Sequence, residues 1–156
     1  MARGTDRGSD WLARGAGVEH NGRMSDQTQV VRDLYAAFER RDVGAVLRAF
    51  DSDIEVFQTE VLPWGGTYRG TMGAASFFQK LAATIDATVT ADDFFEAGNT
   101  VVARARTRGR VRSNDVRFDL RTVHVWTIRD GKAVGIQFYL DTPAMLAALE
   151  QAPTGD

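Results

Sequence analysis

The stretch VRFDLRTVHVWTIRDGKAVGIQFYL, residues 116–140, predicts one long β-hairpin. Its two halves are rich in β-branched and aromatic side chains, and Asp130-Gly131 between them is typical of a tight hairpin turn. The hairpin leads directly into a helix start at Asp141-Thr142-Pro143, where Asp141 or Thr142 is expected to cap the helix rather than take part in chemistry. A long, curved antiparallel sheet that follows amphipathic helices can wrap into a cone that encloses a small-molecule pocket.

Upstream of the hairpin, hydrophobic periodicity predicts three helices and three further strands. In order, they are a helix at about 27–40, a short helix capped by Asp42, a strand at 54–60, a helix at about 71–85, and strands near 87–97 and 100–112. The glycine-rich stretch 62–70 is expected to be a loop, and it lacks the spacing of a phosphate-binding loop. This order predicts an α+β, cone-shaped roll with three N-terminal helices, a strongly curved and mostly antiparallel sheet, and a short C-terminal helix.

The length of 156 residues, 44% of them hydrophobic, suits a single domain with a substantial core. Met1 to Arg23 contains five glycines and four arginines but few large apolar side chains, so this segment is not expected to fold. Residues 1–24 are therefore interpreted as a flexible tail or a mis-assigned start. Residues 25–152 are interpreted as the domain, and residues 153–156 as a disordered C-terminus.

Composition argues against several kinds of site and partner. The chain has no cysteine, and His124 is the single histidine outside the N-terminal segment, so neither a metal site nor a cofactor is expected. No apolar run is long enough to span a membrane and no signal peptide is recognisable, which favours a cytoplasmic protein without a membrane partner. The net charge of -2 argues against a nucleic-acid partner.

Five arginines alternate along one predicted strand, at positions 104, 106, 108, 110 and 112. Alternation places all five on the same face of that strand. We expect this face to be the solvated outside of the sheet, with an anion-binding site as the alternative. The opposite face carries small residues, which leave room for a ligand or for a closely packed neighbour.

Three segments carry a resemblance to a known family: YAAFERRDVGAVLRAFDSDIEVF (residues 35–57), PWGGTYRG (63–70) and HVWTIRDGKAVGIQFYLDT (124–142). Together they are similar to the SnoaL-like branch of the nuclear transport factor 2-like superfamily, over roughly residues 27–151. The resemblance implies a cone fold whose members include isomerases, cyclases, epoxide hydrolases, dehydratases and non-catalytic binding domains. It therefore implies the fold more strongly than the function.

The resemblance also implies that the acid–base residues of these relatives are largely replaced. Similarity to ketosteroid isomerase, which uses a carboxylate base and an oxyanion hole of tyrosine and aspartic acid, places Leu34 at the tyrosine, Gln58 at the base and Val123 at the aspartic acid. Similarity to limonene epoxide hydrolase places Arg121 at that family's arginine, but Val123 and Phe138 at its two aspartates. In this comparison the chain retains the arginine, as Arg121, but lacks both aspartates that act as acid and base.

Strand alternation with position 123 turned inward predicts an apolar cavity for a hydrophobic small molecule. The predicted ligand-binding residues are Leu34, Gln58, Trp64, Tyr68, Phe78, Val123 and Phe138. Arg121 either hydrogen-bonds a ligand oxygen or pairs with Asp119 on the same strand face. Gln58 either donates to the ligand or lies at the rim. Trp64 and Tyr68 either cover the cavity mouth or fill a corner of the core.

His124 is a candidate general base because the ordinary pKa of histidine is near neutrality. With position 123 turned inward, however, His124 falls on the opposite face of the strand. That face also carries Phe118, Leu120, Thr122, Trp126 and Ile128. Its aromatic and aliphatic character predicts a homodimer surface, unless a β-bulge reverses the alternation. The candidate catalytic residues are accordingly Arg121, His124 and Asp119.

Two functions stay open from the sequence. The first is a cofactor-independent enzyme of the cyclase, isomerase or dehydratase type that acts on a hydrophobic, aromatic or polyketide-like substrate, with Arg121 stabilising a developing enolate or alkoxide. The second is a non-catalytic protein that binds the same kind of ligand. The absence of the acid–base carboxylates of these relatives favours the second function. The enzymes among the members of the family favour the first.

Overall fold

The computed structural model describes residues 25–153 of the chain. The tail predicted at 1–24, which includes His20, and residues 154–156 of the predicted disordered C-terminus lie outside the described residues. In chain order the elements are α1 (Asp26–Glu39), α2 (Val43–Arg48), β1 (Phe50–Gln58), β2 (Gly66–Arg69), α3 (Gly70–Thr84), β3 (Ile85–Ala97), β4 (Thr100–Val111), β5 (Arg117–Arg129), β6 (Lys132–Leu140) and α4 (Thr142–Glu150).

The six strands form one sheet in the order β2-β1-β6-β5-β4-β3. The β1–β6 pair is parallel, and the other four pairs of neighbours are antiparallel. The α+β cone predicted from the sequence is confirmed, because helices at both ends accompany a curved, unclosed and mostly antiparallel sheet. Within residues 25–153, no helix combines the length and the apolar character needed to cross a membrane.

Side-chain caps define where three of the helices begin. Ser25 caps α1, Asp42 caps α2 and Asp141 caps α4, each accepting a hydrogen bond from a backbone N–H three residues further on. Pro143 follows Asp141 within the first turn of α4, a position at which its missing N–H costs nothing. The capping roles predicted for Asp42 and Asp141 are confirmed.

The stretch 62–70, predicted to be a loop, contains the short strand β2. This strand pairs with β1, and Tyr68 lies opposite Val56. Gly65 precedes β2 at a point where a Cβ atom would lie 1.8 Å from the carbonyl oxygen of Thr59, so the backbones approach too closely for any side chain. The loop prediction was wrong because four residues are too few for alternation to be recognised.

A one-residue bulge in the β5–β6 hairpin determines which side chains face the helices. Val134 is the extra residue between two regularly paired stretches. An unbroken hairpin would place Val123 opposite Phe138, whereas the bulge places His124 opposite Phe138. His124 and Phe138 therefore share one face of the sheet, and Val123 lies on the other.

The core fills the space between the concave face of the sheet and helices α1 and α3. Its fully buried side chains include Leu34 of α1, Phe77 of α3 and Trp126 of β5. At the other end of the chain, Asn114 donates through Nδ2 to two carbonyl oxygens at the end of α4. These hydrogen bonds tie the C-terminal helix to the turn between β4 and β5.

Charged pairs cover the convex face of the sheet. Arg104 pairs with Asp93, and both Arg106 and Arg108 reach Asp119, at 3.2 and 3.4 Å. These side chains are substantially exposed, so each pair contributes little to stability, about 0–1 kcal/mol. The solvated outer face predicted for the alternating arginines is confirmed at these positions.

Candidate functional site

A cavity of about 240 Å³ lies between the helices and the concave face of the sheet. Most of its wall is apolar, with aromatic rings from α1, α3 and β6: Phe38, Phe77, Phe78 and Phe138. Uncharged polar side chains also line it, among them Gln58, Thr107, Thr122 and His124. The arrangement is that of a site for a small, mostly apolar molecule with a few fixed polar contacts.

Charged side chains line the cavity where α1 ends and β3 begins. Arg41 donates from a terminal guanidinium nitrogen to Asp86 at 2.9 Å, and Arg112 donates to the carbonyl oxygen of Ala82 at 2.6 Å. The hydrogen bond from Arg41 holds the pKa of Asp86 below its ordinary value. Because these groups are partly exposed, we assign them to the mouth of the cavity.

His124 is buried at the cavity wall and is hydrogen-bonded through its Nδ1 to a residue that does not line the cavity. Its Nδ1 lies 2.6 Å from the hydroxyl oxygen of Tyr35 on α1, and Nε1 of Trp126 donates to the same hydroxyl oxygen at 3.1 Å. His124 is only 4% exposed, and this burial lowers its pKa to about 3. The imidazole is therefore uncharged at neutral pH.

The phenol of Tyr35 is held in its protonated form. Burial raises its pKa well above the ordinary value, and the hydrogen bond from Trp126 offsets only part of that rise. The ring planes of Tyr35 and His124 are nearly parallel, with an angle of 3° between them and 5.8 Å between the ring centroids. Tyr35 is thus a neutral hydrogen-bonding group that supports the back of the histidine ring.

Thr122 lies two residues before His124, on the same face of β5. Its side chain is 2% exposed, and its Oγ1 has no hydrogen-bond partner within residues 25–153. A buried hydroxyl without a partner is uncommon and costs stability. Thr122 lines the cavity, but its Oγ1 atom is itself buried, so the side chain must rotate before the hydroxyl can reach a bound molecule.

Gln58 and Trp64 are joined to each other at the cavity wall. Nε1 of Trp64 donates to Oε1 of Gln58 at 3.3 Å, and Nε2 of Gln58 donates to the carbonyl oxygen of Phe138 at 3.4 Å. Trp64 is 1% exposed, so it fills the core and does not form a lid. The amide of Gln58 is engaged mainly in holding the stretch before β2 against β6.

The structure places several predicted site residues away from the cavity. Arg121, Asp119 and Val123 lie on the convex face of β5, and Val123 is 39% exposed. The prediction that they point inward was wrong: it took the orientation of β5 from the family resemblance, whereas the bulge at Val134 of β6 brings His124, and not Val123, opposite Phe138 on the concave face. Asp119 pairs with arginines of β4 and forms no ion pair with Arg121 within the described residues.

The observed orientation of β5 also changes the role of the face that carries His124 and Trp126. The sequence predicted this face to be a homodimer surface, but it forms the concave wall of the cone and Trp126 is fully buried. Leu34 packs in the core rather than along the cavity. Tyr68 donates to the carbonyl oxygens of Trp64 and Gly65, which keeps its hydroxyl in the β2 region.

Two residues of the site were not selected from the sequence. Tyr35 was passed over because the resemblance directed attention to Leu34, one position earlier on α1. Thr122 was assigned to the outer face together with His124. The available signal was Gly135 beside Val134, since an isolated glycine within a strand often marks a bulge.

The chain is similar to known proteins both in its sequence family and in its structure. The family model of the SnoaL-like domain matches residues 31–136. An NTF2-like protein of unknown function from Burkholderia pseudomallei is similar at 30% identity, covering 82% of this chain and 100% of that one, with a TM-score of 0.77. No curated protein sequence matches the chain.

Two further solved structures are similar over nearly the same span. An NTF2-like protein from Burkholderia thailandensis has 31% identity, with coverage of 82% of this chain and 100% of that chain and a TM-score of 0.76. The structure of TerC co-crystallized with polyporic acid has 27% identity, with coverage of 81% and 100% and a TM-score of 0.76.

Proposed function

This chain belongs to the SnoaL-like domain family, and we propose that it binds a hydrophobic small molecule in its cavity and converts it in a reaction of the cyclase, isomerase or dehydratase type. The family and fold are those of a small-molecule-binding or isomerase-type domain. The observation that carries the proposal is an apolar cavity that holds His124 and the unpartnered hydroxyl of Thr122 side by side. Such a wall binds an apolar body and orients one polar group.

The size and lining of the cavity narrow the class of ligand. Pockets for drug-sized ligands are about 300–1,000 Å³, so a cavity of about 240 Å³ suits a molecule of one or two rings. The rings of Phe77 and Phe138 stack with their centroids 5.1 Å apart beside it, which favours a flat, aromatic ligand. The co-crystallization of the similar protein TerC with polyporic acid also supports a small organic ligand.

The chemistry proposed here rests on uncharged groups. Among the described residues that line the cavity, the carboxylates are Asp42 and Asp86, both in the charged part of the wall. The interior offers His124 and Thr122 instead, and both can donate hydrogen bonds without carrying a charge. A reaction that builds negative charge on a substrate oxygen would be stabilised by such fixed donors. This assignment replaces Arg121, the residue favoured from the sequence.

Non-catalytic binding is the second candidate function, and one observation favours it. With a pKa of about 3, His124 is a weak base at neutral pH, so it cannot easily remove a proton from a substrate. The two functions differ in turnover alone, because both use the same cavity. A ligand that is recovered chemically unchanged after prolonged incubation with the protein would favour the binding function.

Binding in the cavity is tested by thermal unfolding with a panel of one-ring and two-ring aromatic compounds. We expect at least one compound to raise the melting temperature of the wild-type protein. Val89→Phe, which enlarges a side chain of the cavity wall, should lose that response while still folding. A panel without any hit, or equal responses in the two proteins, would contradict the proposal.

We also propose that the chain forms a homodimer, through a different surface from the one predicted. The outer face of the sheet exposes Val123 and Tyr139, at 39% and 46%, and these two residues are cross-strand neighbours on β5 and β6. Size-exclusion chromatography with light scattering should give a dimer for the wild-type protein and a monomer for Val123→Asp. A monomeric wild-type protein would contradict this part of the proposal.

A further inference from the structure

Trp126, Tyr35 and His124 form a hydrogen-bonded series whose direction is set by its first member. The indole N–H of Trp126 can only donate, and it lies 3.1 Å from the hydroxyl oxygen of Tyr35. That oxygen lies 2.6 Å from Nδ1 of His124. All three side chains are buried, so bulk water does not compete for these contacts.

Two proton arrangements would fit these distances, and they differ in what they leave unpaired. If Tyr35 donates to Nδ1 of His124, the indole proton, the phenol proton and Nδ1 are all satisfied, and only the Nε2–H, which borders the cavity, has no partner within residues 25–153. If Nδ1–H instead donated to Tyr35, the phenol proton would have no acceptor within residues 25–153. Buried donors without partners are strongly disfavoured. Nδ1 therefore accepts, and the single ring proton of uncharged His124 resides on Nε2.

We propose that the ligand of this cavity presents a hydrogen-bond acceptor, a carbonyl oxygen, to the Nε2–H of His124, and that Tyr35 is the positioning residue that imposes this preference. The inference rests on the proposed function and names the class of ligand for the same site: aromatic ketones and related carbonyl compounds.

The surroundings of Nε2 fit this assignment. No partner for Nε2 lies within residues 25–153, and the ring borders the cavity. The hydroxyl of Thr122, two residues away on the same face, is also without a partner within residues 25–153, and rotation of this buried side chain towards the cavity would supply a second donor. Burial keeps His124 uncharged near neutral pH, so its ring does not become a donor at both nitrogens. Two uncharged donors would polarise the carbonyl group without transferring a proton.

The tautomer is tested first, on the ligand-free protein. In a ¹H–¹⁵N spectrum of histidine-labelled wild-type protein, we expect the proton of His124 on Nε2 and an unprotonated Nδ1. Tyr35→Phe keeps the ring and removes the donor, so both tautomers should become populated in that variant. A wild-type spectrum with the proton on Nδ1 would overturn the inference while leaving the proposed cavity function intact.

Ligand preference is tested with three bicyclic molecules of similar size. 1-Indanone offers only an acceptor, indole offers only an N–H donor, and indane offers neither. We expect 1-indanone to bind about tenfold more tightly than the other two, the equivalent of one well-formed hydrogen bond. Thr122→Val should reduce this preference, and Thr127→Val, the same change on the outer face, should not.

The outcomes separate the two claims. Equal affinities of the three molecules for the wild-type protein would overturn the carbonyl preference but support an apolar cavity site. If none of the three binds at millimolar concentration, the proposed function fails, and the inference fails with it. Should Tyr35→Phe fail to fold, the Thr122→Val and Thr127→Val pair still tests the proposal. The pair shows whether the preference for a ligand with a hydrogen-bond acceptor depends on the cavity face of β5.

Discussion

Tyr35 and His124, 89 positions apart in the chain, share a buried hydrogen bond of 2.6 Å that joins the first helix to the inner face of the sheet. The contact exists because β5 turns its even-numbered side chains towards the helices. His124 is the only histidine within residues 25–153. The hydrogen bond engages its Nδ1, and its Nε2 remains for a ligand in the cavity. The chemistry available to a ligand is therefore set by a residue that does not line the cavity.

Replacing Thr122 by valine should stabilise the ligand-free protein. The hydroxyl is buried without a partner, and removing an unsatisfied polar atom relieves a penalty of about 1–3 kcal/mol. Urea unfolding should show a higher midpoint for Thr122→Val, while Thr127→Val on the exposed face changes it little. A lower midpoint for Thr122→Val would show that the hydroxyl makes a stabilising contact in the free protein.

Folding stability should decrease as the pH falls, because of His124. Burial lowers the pKa of His124 from 6.5 to about 3, so between these values the unfolded chain binds a proton that the folded protein excludes. This contribution is fully present above pH 6.5 and is lost as the pH falls towards 3. The wild-type protein should lose up to about 1.4 kcal/mol per pH unit between pH 6 and 4, relative to His124→Gln.

Urea unfolding at several pH values measures this difference. His20→Gln, which replaces the other histidine of the chain, is the matched control. It separates the contributions of the two histidines to the pH dependence of the free energy of unfolding. Parallel stability profiles for the wild-type protein and His124→Gln would contradict a depressed pKa at His124.

The hydrogen-bonded series should make Tyr35 and Trp126 energetically dependent on each other. Tyr35→Phe leaves two buried groups without partners and should cost about 1–3 kcal/mol of the free energy of unfolding. Trp126→Phe removes the donor to the same oxygen. In a double-mutant cycle, the combined loss should be smaller than the sum of the two single losses. Additive losses would show that the two hydrogen bonds do not act together.

Gly65→Ala should destabilise the protein without touching the cavity directly. The added Cβ would lie 1.8 Å from a backbone oxygen, so β2 must move, at a cost of about 1–3 kcal/mol. Gly44→Ala is the matched control, because its Cβ would meet only side-chain atoms, Nη1 of Arg48 at 3.2 Å and Oδ1 of Asp42 at 3.6 Å, and alanine is the better helix former within α2. Equal midpoints for the two variants in urea would contradict the steric argument.

Most of the fold could be predicted from the sequence because its signals are local. Helix periodicity, the caps Asp42 and Asp141, and the Asp130-Gly131 turn each act within a few residues, and the structure keeps all of them. The family resemblance agreed with these signals. Strand β2 was missed because its pairing with β1 depends on tertiary contacts more than on its own four residues.

The site could not be predicted to the same degree, since it depends on one residue of register. The extra residue at Val134 of β6 pairs Phe138 with His124 instead of Val123, so His124 shares the inner face with Phe138 and Arg121 lies on the outer face. Patterning on β5 alone did not distinguish the faces, because both carry large side chains. The hydrogen bond between Tyr35 and His124 joins distant parts of the chain and leaves no local mark in the sequence.

The most direct test of this account follows the ring nitrogens of His124 while 1-indanone is added. ¹H–¹⁵N spectra of histidine-labelled protein report both nitrogens, and His20→Gln assigns the signals. We expect the Nε2–H signal of His124 to shift until the site is saturated, with Nδ1 remaining unprotonated and nearly unchanged. Binding of 1-indanone that leaves the Nε2 signal of His124 in place would contradict an inward-facing histidine as the centre of the site.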